Sequence, residues 1–218
     1  MIIVIQCAAS KQPCAGHLRR RDGQKVMFVA NPDCAPADDE FFYARPDDLN
    51  EEGVPWRNVL LVYNKEPRSN SLNLLPSCEL YKHPAYMGLV KKFGQENVYI
   101  LSAGWGLIAA NFLTPAYDIT FSPSAETFKR RRKADRYNDF SMLPDNTSQP
   151  VVFLGGKDYV QLFCTLTSHV KARRVIVHKT EKPPDAPGCT LRQHHTTTRT
   201  NWHYSYARDL IEGGASLD

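Results

Sequence analysis

The sequence predicts an α/β protein with a mostly parallel central sheet, helices on both faces and a long irregular insertion after the first strand. Short apolar runs rich in β-branched residues recur along the chain, and stretches with helical periodicity separate them. A chain of 218 residues is also long enough to bury one sizeable core. Strands that alternate with helices are typical of a parallel sheet covered on both faces.

Four apolar runs are predicted to be buried strands, at 2–6, 97–101, 151–154 and 174–178. Helices are predicted at 78–93, 124–140, 158–169 and from 201 to 211, with a short helix near 56–64. No long polar tract divides the sequence, so residues 1–218 are predicted to form a single domain. Residues 12–76, which are rich in proline, form the insertion, either as a lid or binding loop or as a decorated surface loop.

Composition narrows the function classes. The net charge of +4 is compatible with a polyanionic partner but does not require one. The six cysteines lack a Cys-x-x-Cys pair, which predicts reduced thiols and no zinc knuckle. No apolar stretch has transmembrane length and the start lacks a basic flank, so a cytoplasmic protein without a membrane partner is expected. Neither a metal nor a cofactor is predicted.

Candidate binding residues follow the predicted strands, because loops at the carboxyl ends of parallel strands converge on one crevice. The first, second and third of these loops contribute Gln6, Cys7, Ser10, Lys11, Ser102, Gly104, Trp105, Lys157 and Asp158. Small residues let backbone N–H groups approach a phosphate or a base edge, and the polar side chains add donors and charge. The glycines are equally compatible with tight turns, and Cys7 with packing rather than nucleophilic attack.

Trp105 lies between two glycines, so its neighbours in sequence shield its ring poorly. Such a ring either stacks on a nucleobase or anchors the loop in the core. Tyr117 and Asp118 follow Pro115, which restricts the local backbone. Asp118 is the candidate carboxylate for stabilising positive charge or positioning water, and a turn or capping role is the alternative.

The densest positive charge falls in the predicted helix 124–140. This run has many cations and few apolar positions, so it predicts either a DNA-contacting face or a solvated face that serves solubility. The candidate nucleic-acid-binding residues are Lys129, Arg130, Arg131, Arg132 and Lys133.

Four segments carry a resemblance to a known family: Ile5-Gln6-Cys7-Ala8-Ala9-Ser10-Lys11, Leu80-Tyr81, Ile100-Leu101-Ser102-Ala103-Gly104-Trp105-Gly106-Leu107-Ile108 and Pro115-Ala116-Tyr117-Asp118. They resemble a bacterial and phage domain family that is similar to YaaA-type stress proteins and to a domain of archaeosine-forming tRNA enzymes. The family includes anti-phage DNA glycosylases of the Brig type, which remove glucosylated hydroxymethylcytosine from phage DNA. The sequence departs from the family pattern at Ala9, Trp105 and Ala116.

The resemblance implies a DNA glycosylase for phage defence that excises a bulky modified pyrimidine from double-stranded DNA and leaves an abasic site. Asp118 would stabilise the oxocarbenium-like sugar, Trp105 or Tyr117 would stack on the flipped base, and the basic run would hold phosphates. Two other classes stay open. One is a non-catalytic DNA-binding stress protein, and the other is a nucleoside or nucleotide hydrolase that breaks the same bond in a small molecule.

Overall fold

A computed structural model describes residues 1–65, 70–198 and 200–214, and these form the predicted α/β fold. The helices are α1 (Trp56–Lys65), α2 (Ala85–Phe93), α3 (Lys157–Leu166) and α4 (Trp202–Glu212). The strands are β1 (Ile2–Gln6), β2 (Lys25–Val29), β3 (Phe41–Ala44), β4 (Leu75–Pro76), β5 (Val98–Ser102), β6 (Gly106–Ala109), β7 (Leu113–Thr114), β8 (Tyr117–Asp118), β9 (Phe140–Ser141), β10 (Val151–Leu154), β11 (Arg174–His178) and β12 (Thr190–Gln193).

The central sheet has seven strands in the order β12-β11-β10-β1-β5-β6-β9. The first five of these are parallel to one another, and β6 runs antiparallel to β5. Numbered by their occurrence in the chain, the parallel strands have the order 2-1-3-4-5, which is a doubly wound arrangement. The chain leaves β1 towards one edge of the sheet and leaves β10 towards the other. The order therefore reverses between β1 and β10.

Helices cover both faces of this sheet. The crossovers from β1 to β5 and from β10 to β11 run in opposite directions, and right-handed crossovers then place α2 and α3 on opposite faces. α4 packs against α2, and Phe163 of α3 stacks on Phe153 of β10 with ring centroids 4.9 Å apart. β1, β5 and β10 are apolar along almost their whole length because both of their faces are covered.

The four predicted strands are confirmed to within a residue. The short helix α1 and the helices α3 and α4 are confirmed to within a few residues. The helix predicted at 78–93 begins only at Ala85. Pro84 precedes it, and proline disfavours helical backbone in the residue before it. Residues 78–83 therefore take a turn and extended form instead.

The insertion 12–76 is not irregular, which corrects the prediction. It contains β2, β3, α1 and β4, and β2 pairs in parallel with both β3 and β8 to make a second, three-stranded sheet. The strands are short, and β8 (Tyr117–Asp118), one of the two partners of β2, lies far along the chain. Residues 66–69 of the insertion lie outside the described residues.

The prediction of a helix at 124–140 is wrong. This segment consists of turns and extended backbone, and its backbone groups bind distant partners. The N–H groups of Ala30 and Asn31 donate to the carbonyl of Phe128, and that of Thr120 donates to the carbonyl of Lys129. Tertiary hydrogen bonds therefore override the helical propensity of the segment.

Two arginine side chains enter the core beside the turn that follows β5. Arg131 is 4% exposed and forms a bidentate ion pair with Asp139, with N···O distances of 2.9 and 2.6 Å, while it also donates to the carbonyl of Ala103. Arg57 of α1 is 3% exposed and donates to the carbonyls of Gly104 and Trp105 at 3.0 Å each. The two guanidinium groups thus bind three consecutive carbonyls of one turn.

Replacing Arg131 by methionine should destabilise the protein by about 3–5 kcal/mol, because Asp139 would stay buried without its counter-ion. Arg132→Met is the matched control, since Arg132 is the next residue but is 77% exposed and pairs with Asp135 at the surface. Its loss should cost less than about 1 kcal/mol. Urea unfolding followed by tryptophan fluorescence measures both values. Equal losses in the two variants would contradict a structural role for the buried pair.

Candidate active site

A cleft of about 1020 Å³ opens at the carboxyl ends of the parallel strands. Its walls include residues 6–10 at the end of β1, residues 155–158 after β10 and residues 177–180 at the end of β11. The cleft therefore lies where the strand order reverses, the position at which doubly wound sheets bind ligands. Of the predicted site residues, the structure brings together at this cleft Gln6, Cys7, Ser10, Lys157 and Asp158.

Three helices begin at this cleft. Pro84 precedes α2, Lys157 starts α3 and Trp202 starts α4, and all three residues line the cavity. Each helix N-terminus carries roughly half a positive elementary charge. The lysines that also line the cleft are Lys82, Lys157 and Lys179. Electrostatics therefore favour an anionic ligand.

Asp158 brings a negative charge into this positive cleft. It lies in the first turn of α3, its side chain is 35% exposed, and Lys133 Nζ lies 3.2 Å from Oδ1. Among the described residues that line the cleft, it is the only one with a carboxylate.

Gln6 ties β1 to the loop that follows β10. Its Oε1 accepts a hydrogen bond of 2.6 Å from the backbone N–H of Gly156. Gly155 leaves no room for a side chain, because a Cβ there would lie 2.3 Å from Cζ of Phe153. The hydrogen bond between Gln6 and Gly156 holds the two loops together at the point where the strand order reverses.

Buried hydroxyl groups surround Cys7 at the inner end of the cleft. Cys7 Sγ lies 3.3 Å from the hydroxyl of Tyr159 and 3.5 Å from the backbone nitrogen of Ala103. The hydroxyl of Tyr117 lies 2.8 Å from that of Tyr81. Burial raises the pKa of each of these three tyrosines well above its usual range, so they stay protonated and can donate.

The turn after β5 lies in the core and not in the cleft. Trp105 is fully buried and packs against Phe28 and Phe140, so the predicted stacking of its ring on a base is wrong. Gly104 is also buried. Ser102 Oγ accepts the N–H groups of Gly104 and Trp105 and donates to the hydroxyl of Tyr117. Of the two interpretations of Trp105, the core anchor is the one the structure supports.

Tyr117 is 1% exposed and therefore offers no face to a base, which corrects the second candidate platform. Tyr117 and Ile119 both pack against Gly104. Side chains alternate along extended backbone, so Asp118 points to the other side, where it forms a 2.9 Å ion pair with Lys129. Asp118 is not among the residues that line the cleft.

Lys11 also lies beside the cleft rather than in its lining. Its Nζ sits 4.2 Å from the centre of the Tyr117 ring and 3.3 Å from the carbonyl of Ala9. Burial lowers the pKa of Lys11, and the carboxylate of Asp118 acts in the opposite direction. The amine is held near the β1 loop by these contacts.

The basic run does not form a continuous cationic face. Arg131 is buried, and three of the other four cations have acidic partners: Lys129 pairs with Asp118 and Glu126, Arg132 with Asp135, and Lys133 with Asp158. Arg130 donates to the carbonyl of Pro123. Most of the charge predicted for DNA phosphates is therefore neutralised within the protein.

Sequence reasoning missed a group of cleft residues from the segments before α2 and at the start of α4. They are Lys82, His83, Trp202, His203 and Tyr204. The only available signal was Pro84, which marks a helix start, because nothing in the sequence shows that these two segments meet.

His203 is the most deeply buried histidine of this group, at 2% exposure, and its Nε2 has no hydrogen-bond partner among the described residues. Burial lowers the pKa of His203 to about 4. The ring is therefore neutral at neutral pH.

No protein-family model, curated protein or solved structure matches the chain. Its membership of the family that it resembles therefore stays a prediction. Within the described part of the chain, no three His, Cys, Asp or Glu side chains are grouped as metal ligands would be. None of the described helices is long and apolar enough to cross a bilayer.

The free energy of unfolding should fall as the pH drops from about 6.5 towards 4. The pKa of His203 is lower in the folded state than in the unfolded chain, so the unfolded chain takes up the proton first. This stabilisation is complete above pH 6.5 and decreases by at most about 1.4 kcal/mol per pH unit below it. His203→Phe should reduce the slope of this profile, because it removes the contribution of His203. Urea titrations across this range measure it, and parallel profiles for His203→Phe and wild type would contradict it.

Proposed function

We propose that the protein is a hydrolase of the N-glycosidic bond, and specifically a DNA glycosylase that excises a bulky modified pyrimidine. The observation that carries the proposal is the carboxylate of Asp158 in a cleft that is otherwise positively charged. Cleavage of this bond creates positive charge on the sugar and negative charge on the departing base. A site for the reaction needs opposite charges next to each other.

Asp158 is the proposed catalytic carboxylate, in place of Asp118. Its position in the cleft lets it stabilise the oxocarbenium-like sugar or orient the attacking water. Lys133 Nζ lies 3.2 Å from Oδ1 of Asp158. Asp118 lies outside the cleft lining, which leaves it an electrostatic role at a distance.

The cations of the cleft suit the remaining parts of the substrate. Lys82 and Lys157 are exposed residues of the cleft lining, and their ammonium groups can bind the phosphate groups of a nucleic acid. The phenol of Tyr159 and the amide of Gln6 are polar groups in the cleft wall that can bind a base edge or a sugar hydroxyl.

The size of the cleft supports a modified base. Small-molecule sites usually have volumes of roughly 300–1,000 Å³, and this cleft is slightly larger than that range. An unmodified nucleotide would leave much of it filled with water. A nucleotide whose base carries a sugar substituent uses the space better.

A glycosylase assay tests the proposal. Wild-type protein incubated with duplex DNA that contains glucosylated hydroxymethylcytosine should release the modified base and leave alkali-labile sites, while the same duplex with plain cytosine should stay intact. Asp158→Asn should lower the rate by roughly 100-fold or more, as expected for the loss of a charge that acts on the transition state. Mass spectrometry of the released base measures the rate.

Asp118→Asn is the comparison variant and should retain much more activity than Asp158→Asn. The reverse order would return the catalytic role to Asp118. If neither duplex acquires alkali-labile sites, the DNA glycosylase proposal is wrong. Circular dichroism of both variants checks that the lost activity does not reflect unfolding.

A free nucleotide hydrolase is the second candidate, and the neutralised basic run favours it. The acidic partners of Lys129, Arg132 and Lys133 remove most of the surface that would bind a DNA backbone. The cleft itself would accept the phosphate of a mononucleotide at the lysines and helix N-termini described above.

Salt dependence separates the two candidates. A DNA substrate that contacts Lys82, Lys157 and Lys179 should lose affinity with a log–log salt slope of about −3, since each phosphate contact contributes roughly −0.9. A free nucleotide should show a slope nearer −1 and should be hydrolysed without any DNA. Binding isotherms between low and moderate salt measure the slope. Hydrolysis of free modified nucleotides with no activity on DNA would favour the second candidate.

A further inference from the structure

Three aromatic rings form a stack in one wall of the cleft. The ring of His83 lies 3.7 Å from that of Tyr204 at an interplanar angle of 10°. On α4, the ring of His203 lies 4.1 Å from Tyr204 with a tilt of 51°. All three residues line the cleft, and His83 is the exposed end of the stack.

The middle ring of the stack is fixed to the central sheet. The hydroxyl of Tyr204 lies 3.0 Å from that of Tyr86 on α2, and Tyr86 donates a 2.8 Å hydrogen bond to the carbonyl of Gln6 at the end of β1. These bonds join α4, α2 and β1. The stack therefore has a defined position relative to the strand ends that border the cleft.

His83 is itself held in one orientation although it is exposed. The backbone N–H of Ala85 donates a 3.2 Å hydrogen bond to Nδ1 of His83, and Tyr204 covers one face of the ring. Nδ1 must then present its lone pair, so the neutral ring carries its proton on Nε2. Desolvation lowers the pKa of His83, which favours this neutral form.

A rigid, neutral and half-uncovered aromatic ring in a ligand cleft is suited to stacking. We propose that the uncovered face of His83 is the stacking platform for a planar heteroaromatic ring of the ligand. This deepens the proposed function and rests on it for the kind of ring, which would be the pyrimidine of the target nucleotide. Preorganisation by Tyr204 and Ala85 lowers the entropy lost when the ring binds.

Trp202, Tyr159 and Tyr204, which also line the cleft, are less suited to this role. Trp105 is fully buried, Trp202 is 6% exposed and Tyr159 is 7% exposed. Tyr204 has the ring of His83 stacked on it at 3.7 Å and the tilted ring of His203 at 4.1 Å. Of these rings, His83 offers the accessible face.

Binding of cytidine 5′-monophosphate to wild type, His83→Leu and His83→Phe tests the platform by isothermal titration at millimolar ligand. His83→Leu removes the aromatic face and should weaken binding by about tenfold or more. His83→Phe restores a ring without nitrogens and should bind within about threefold of wild type. Ribose 5-phosphate has the same sugar and phosphate but no base, so His83→Leu should leave its affinity unchanged.

His169→Leu is the matched control, because His169 follows the end of α3 away from the cleft and contacts Leu143 and Asp145. It should bind cytidine 5′-monophosphate like wild type. Unchanged binding in His83→Leu, a His83→Phe variant as weak as His83→Leu, equal losses for both ligands, or no saturable binding to wild type would each overturn the platform.

These outcomes are separable from the fate of the proposed reaction, since they measure affinity without turnover. Base-dependent binding that needs His83, with no glycosidic cleavage of any substrate, would leave the platform standing and remove the hydrolase. If His83→Leu cleaves the substrate and binds cytidine 5′-monophosphate like wild type, the hydrolase would stand and the platform would be removed.

Discussion

The carbonyl groups of Ala103, Gly104 and Trp105 are bound by two buried guanidinium groups, and much of the structure depends on this contact. One group belongs to Arg57 of the insertion, and the other belongs to Arg131 of the segment before β9. A buried charge is costly unless it is paired, and Asp47 and Asp139 supply the counter-ions of Arg57 and Arg131. The result fixes the insertion, the basic segment and the turn after β5 to one another.

This contact explains why the cleft lies where it does. With the turn after β5 closed into the core, the accessible strand ends are those of β1, β10 and β11. The starts of α2, α3 and α4 meet there because the helices that flank a parallel sheet run antiparallel to its strands. Positive potential in the cleft follows from topology as well as from its lysines. Asp158 places a carboxylate in this positively charged lining.

Part of the site was predictable from local sequence. Gln6, Cys7 and Ser10 follow β1, Lys157 and Asp158 follow β10, and the general rule for parallel sheets is sufficient to place them at one crevice. His83 and Tyr204 were not predictable, because their contact depends on the packing of α4 against α2. Asp118 was predicted from its place beside Tyr117 and after Pro115, but strand alternation and the pairing of β8 with β2 turn its side chain away.

The sequence by itself determined the parallel core. Its continuous β-branched runs are typical of strands covered on both faces, and Gly155-Gly156 precede the helix predicted after β10. Only the tertiary structure decided that Trp105 is buried and that Arg131, within the run Lys129 to Lys133, forms a buried ion pair. An exposed and a buried tryptophan have the same neighbours in sequence, and an arginine in a basic run is solvated unless a distant carboxylate and distant carbonyls meet it. Those partners come from other parts of the chain, and folding alone brings them together.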